Sequence, residues 1–77
     1  MRFICDKKRH LVCLPYSIEN LHRMAEILGI ARDWYHKGKN DNPHYDIPKR
    51  RIQEIQEQCT VVSSNEIVDI IRGRFKP

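Results

Sequence analysis

Short apolar runs separated by polar turns open the chain. RFICD, residues 2–6, reads as a strand closed by an acid. Lys7, Lys8 and Arg9 form a turn, and HLVCL, residues 10–14, is apolar on both faces, as an interior strand should be. Pro15 stops it. The period then becomes helical: Ile18, Leu21, Met24, Ala25 and Leu28 share one stripe, with His22 at its edge. Ser17 is placed to cap that helix, and Gly29 to end it in the left-handed conformation that costs glycine no clash.

Regularity then lapses. Trp34 and Tyr35 precede HKGKNDNP, a polar stretch at 36–43 that predicts a mobile loop. A second helix is expected near Pro48, capped by Asp46, with Ile52, Ile55 and then Cys59 on its buried side. TVVS, residues 60–63, is a third strand, and Ser63 with Glu66 makes a capping box for a last helix. Ile67, Val68, Ile70 and Ile71 are its packing face, and Gly73 closes it. The order β-β-α-α-β-α predicts a small α/β sandwich, a three-stranded sheet carrying about three helices, as one domain over residues 1–77.

Composition narrows the picture in three ways. A chain of 77 residues buries only about 60% of its unfolded surface, so its margin of stability is small. No apolar run approaches the roughly 18–20 residues that cross a bilayer, and MRFICDKKRH lacks the apolar core of a signal peptide. A cytoplasmic protein with no membrane association is expected. Cys5, Cys13 and Cys59 form no CxxC pair and sit among apolar neighbours, so reduced, buried thiols are expected rather than a zinc knuckle or a disulfide. The formal charge of +4 favours polyanionic partners, nucleotide or nucleic acid phosphate.

The polar residues that folding does not require are Asp6, His10, His22, His44, Tyr45 and Asp46, followed by Lys49, Arg50 and Arg51. Strand ends and helix starts gathered at one sheet edge would bring them together. One chemistry is anion binding. The opening amides of the second helix, Arg50 or Arg51 and the histidines would hold a phosphate, and Trp34 or Tyr35 would stack on a base. The other is hydrolysis with a divalent metal held by Asp6, His22, His44 and Asp46. The set of carboxylates is small for that, so neither a metal nor any other cofactor is the favoured expectation. Each residue also has a plain reading: Asp46 as a cap, His10 as a strand start, His22 as a rim histidine, Trp34 as core, His36 as part of the loop.

RHLVCLPYSIENLHRMAEILGI, then WY, then HYDIPKRR, resembles a domain of unknown function found in short bacterial and phage proteins. Asp6, His10, His22, Trp34, His44, Tyr45 and Asp46 fall on its motifs, although Asn20 stands where that family tends to carry a carboxylate. The resemblance implies that these residues form a site and names no substrate. The leading expectation is a phosphate-recognising module using His10, His22, His44, Arg50 and Arg51. The alternatives are a metal-dependent phosphoesterase or nuclease, and a phage-type inhibitor that grips a host protein or sequesters a signalling nucleotide. A homodimer formed through an exposed sheet edge is a further expectation.

Overall fold

A computed structural model describes residues 1–75. The elements are β1 (Arg2–Cys5), β2 (His10–Leu14), α1 (Ile18–Leu28), β3 (Tyr35–His36), β4 (His44–Asp46), α2 (Ile52–Gln56), β5 (Thr60–Val61) and α3 (Ser64–Ile71). Single 3₁₀ turns, Arg32–Trp34 and Lys49–Arg51, lead into β3 and α2.

The fold is α/β with three helices, as expected, but the sheet has five strands in the order β3-β4-β2-β1-β5. β1, β2, β4 and β3 pair antiparallel in turn, and β5 runs parallel to β1. The two added strands have two and three residues, too short for an alternating pattern to stand out. They leave a seven-residue connection at 37–43, so His36, expected in the loop, is paired with His44 instead. Asp46, expected to cap the second helix, lies in β4 opposite His10. Pro48 precedes the 3₁₀ turn without any side-chain cap, and α2 is only five residues long.

The first helix follows its sequence signals. The Ser17 hydroxyl accepts from the Asn20 amide, and Gly29 takes φ +71°. Arg51 adds a closing device from outside the helix: its guanidinium donates to the Leu28 carbonyl at 2.7 Å and the Gly29 carbonyl at 2.9 Å. Leu21, Met24, Ala25 and Leu28 are buried, while Ile18, expected on the same stripe, is half exposed because it sits at the helix's free first turn. At the start of α3 the Ser63–Glu66 capping box forms in both directions, and Ile67 and Ile70 enter the core.

The sheet has a helix on each face. Tyr45 is fully buried, and its hydroxyl meets His22 of α1, which puts α1 over the Tyr45 and Leu11 side. His44 and Asp46 flank Tyr45 in β4 and so point to the opposite face. There they lie near α3, whose Ser64 and Ile67 share a hollow with His10 and His44. A core of Ile4, Leu11, Val12, Leu21, Met24, Tyr45, Ile47 and Ile55 spans both faces. Each such side chain contributes about 1.5–3 kcal/mol when removed from water. Cys5, Cys13 and Cys59 are free thiols.

Candidate metal centre

The site is assembled around the β1–β2 turn. Asp6 is 1% exposed, and a buried carboxylate must have its acceptors filled. Its Oδ1 accepts from the amides of Lys8 (2.9 Å) and His10 (3.1 Å), which shapes the turn. Its Oδ2 accepts from His10 Nδ1 at 2.6 Å and from the Ser64 hydroxyl at 2.7 Å. Burial alone would raise the Asp6 carboxyl, but the bonds from His10 and Ser64 outweigh it and hold the group below the ordinary carboxylate range. With both oxygens occupied, Asp6 orients His10 rather than serving as a ligand itself, which corrects the metal role expected for it.

That bond leaves His10 Nε2 free. Across the β2–β4 ladder Asp46 stands opposite His10, and the His10 and His44 rings approach edge to face at 5.2 Å. His44 Nδ1 donates to the Asn42 carbonyl at 2.7 Å, fixing its proton there. Its Nε2 then faces Asp46 Oδ1 at 3.2 Å. A neutral imidazole carries one N–H, already used on Asn42, so this nitrogen would meet a carboxylate lone pair to lone pair. The arrangement calls for a cation between them, either a second proton on the ring or a metal ion.

The geometry suits a metal. One ligand atom each from His10, His44 and Asp46 lies within 4.8 Å of the others. Ligands about 2.0–2.1 Å from a tetrahedral ion sit roughly 3.3 Å apart, close to the His44–Asp46 spacing. Each histidine has its remote nitrogen tied to an acceptor, Asp6 for one and the Asn42 carbonyl for the other, the outer support that metal-binding imidazoles require. Three protein ligands leave a position open. His36 on β3 completes the row, its Nε2 3.3 Å from Asp46 Oδ2 and about half exposed.

The surroundings are basic. Lys8 and Arg9 line an open hollow of about 370 Å³ with His10 and Asp46. On the other side Lys39 and Asn42 line a narrower one of about 160 Å³ with His10 and His44.

Of the residues expected to converge, His10, His44 and Asp46 do. His22 does not: its Nδ1 is hydrogen-bonded to the Tyr45 hydroxyl at 2.7 Å on the α1 face, and its ring packs on Tyr35 at 4.8 Å. The expectation of three converging histidines is corrected to His10, His44 and His36, because alternation along β4 sends Tyr45 to one face and its neighbours to the other. Burial raises the Tyr45 phenol, consistent with its structural place. Arg51 is also absent from the cluster, engaged with Leu28, Gly29 and a 2.7 Å ion pair to Glu54. Trp34 and Arg50 line a separate groove beside Arg51. α2 is only five residues long, and Arg51 at its start is engaged with the end of α1 rather than with the histidines.

His36 is the residue the sequence reading placed in the loop. Its signal is the mirrored pair of dipeptides Tyr35–His36 and His44–Tyr45 around a polar loop, the mark of antiparallel partners that put both histidines on one face.

The profile of a family described as "Protein of unknown function (DUF4031)" matches residues 6–74, a span that holds every residue of this cluster. No curated protein and no solved structure matches the chain.

Proposed function

The chain belongs to the DUF4031 family, and we propose that it is a metal-dependent phosphoesterase, with His10, His44 and Asp46 holding one divalent ion. The observation that carries the reading is the convergence of His10, His44 and Asp46: one ligand atom of each lies within 4.8 Å of the others, and both rings are held by acceptors on their remote nitrogens. Imidazole and carboxylate together suit zinc or manganese better than calcium, whose sites are built from oxygen. A divalent ion held by His10, His44 and Asp46 would supply Lewis-acid polarisation of a phosphoryl oxygen and would acidify a water.

The chain's own residues supply the rest. Asp6 and the Asn42 carbonyl hold the two ligand rings in register. His36, exposed and with its Nε2 3.3 Å from Asp46 Oδ2, is placed to give a proton to a leaving oxygen. Lys8 and Arg9 offer charge to the phosphate oxygens at the open side. The same basic rim favours a second reading, phosphate recognition without hydrolysis, and one assay separates the two. With Zn²⁺ or Mn²⁺, the protein should hydrolyse bis(p-nitrophenyl) phosphate, lose that activity in EDTA, and regain it when the metal returns. His44→Ala and Asp46→Asn should abolish it. Stoichiometric phosphate binding with no turnover would favour recognition, and hydrolysis that survives both substitutions would refute the assignment.

A further inference from the structure

A groove of about 610 Å³ lies between the end of α1 and the 3₁₀ turn before α2. Ile30, Ala31, Trp34 and Pro48 make its apolar walls, and Lys49 and Arg50 stand exposed at its rim. We infer that this groove holds an unpaired base of a single-stranded nucleic acid against Trp34, with flanking phosphates on Lys49 and Arg50, and that the same strand passes to the metal centre. The second half rests on the phosphoesterase reading; the first stands without it.

Four observations lead there. Trp34 packs partly on the core yet lines the groove, so its indole is held by the fold while offering surface to a ligand. The carbonyl end of α1 is closed rather than bare, because Arg51 donates to the Leu28 and Gly29 carbonyls while it pairs with Glu54. Among the described residues neither Lys49 nor Arg50 is in an ion pair, so both are available to phosphate. Finally, the groove wall follows the metal centre closely along the chain. Pro48 is two residues beyond Asp46, at most about 7 Å along the backbone. Between them the Ile47 carbonyl accepts from Arg9 Nε at 3.0 Å, placing another cation on the path.

The occupant follows from this chemistry. An aromatic wall with adjacent cations and no ordered set of base-reading groups suits stacking, which tolerates any base. Paired bases in a duplex have their faces already covered, so the strand must be single.

Trp34 is the sole tryptophan, so its fluorescence reports the groove directly. In EDTA, titration with a twelve-residue oligothymidylate should quench that fluorescence saturably, and affinity should fall as salt rises. Thymidine monophosphate and a duplex of equal length should bind at least tenfold more weakly. With a labelled oligomer followed by anisotropy, Trp34→Ala should lose about tenfold or more. The double variant Lys49→Ala/Arg50→Ala, altered only at exposed positions, should weaken binding and flatten the salt dependence by more than one unit of slope. The absence of quenching by the oligomer, or wild-type affinity in the double variant, would overturn the inference. Equal quenching by the monophosphate would replace the strand with a free nucleotide. Because binding is read without metal, a negative result beside EDTA-sensitive hydrolysis of bis(p-nitrophenyl) phosphate would remove this inference and leave the metal centre standing.

Discussion

Asp6→Asn separates positioning from ligation. The carboxylate accepts four hydrogen bonds, two from backbone amides at Oδ1 and two from His10 Nδ1 and Ser64 Oγ at Oδ2. Asparagine keeps one oxygen for the turn amides but sets an NH₂ group against His10 Nδ1–H, donor against donor. Bonds to a charged acceptor contribute about 1.5–3 kcal/mol each, and removing a buried charge returns part of its desolvation cost. A net loss of roughly 2–4 kcal/mol follows, against about 4–11 kcal/mol available to a domain of this length. The variant should therefore fold. With His10 no longer oriented, zinc affinity should fall about 10–100-fold, the usual effect of losing such a supporting partner. Urea melts give the first quantity, and competition with a chromophoric chelator gives the second. A folded Asp6→Asn protein that is less stable yet holds zinc as tightly as the parent would refute the reasoning, since it would show that the carboxylate supports only the turn.

Other consequences are equally concrete. Tyr45→Phe removes the 2.7 Å bond to His22 and should cost about 1 kcal/mol in urea unfolding, with zinc affinity unchanged because the pair lies on the opposite face. Ser63→Ala, which breaks the capping box of α3, should cost about 0.5–2 kcal/mol by the same measurement. The half-buried Tyr16 phenol donates to the Pro43 carbonyl at 2.7 Å, and desolvation pushes its pKa up to about 12. A folded pKa above the unfolded value of about 10 means stability is intact below pH 10 and is lost between pH 10 and 12. In Tyr16→Phe, alkaline melts should lose that part of the pH dependence while losing some stability at neutral pH.

The first and last helices were legible because their signals are local. Ser17 and Gly29 bracket α1, Ser63 and Glu66 open α3, and both apolar stripes repeat at helical spacing. The N-terminal hairpin was legible as two apolar runs around a basic turn. What could not be read was the short hairpin of β3 and β4, held by pairing to β2 rather than by any pattern of its own. Half of the site depended on it. The sequence marked His10, His44 and Asp46 as chemistry, but only the register of β4 against β2 decides that His10 faces Asp46 and that His22 lies across the sheet. The same register turns Asp46 from a helix cap into a strand residue beside two histidines. Arg51 misled for a related reason: its cation reads as a phosphate contact until the end of α1 is found beneath it.

Crystals grown with Zn²⁺ or Mn²⁺, with diffraction recorded on both sides of the metal absorption edge, test the central claim most directly. One anomalous peak should lie between β2 and β4, about 2.0–2.3 Å from His10 Nε2, His44 Nε2 and an Asp46 carboxylate oxygen. It should be missing from the His44→Ala protein. A metal-soaked crystal whose peak lies elsewhere, or one with His44 bonded to Asp46 and no ion between them, would contradict the account.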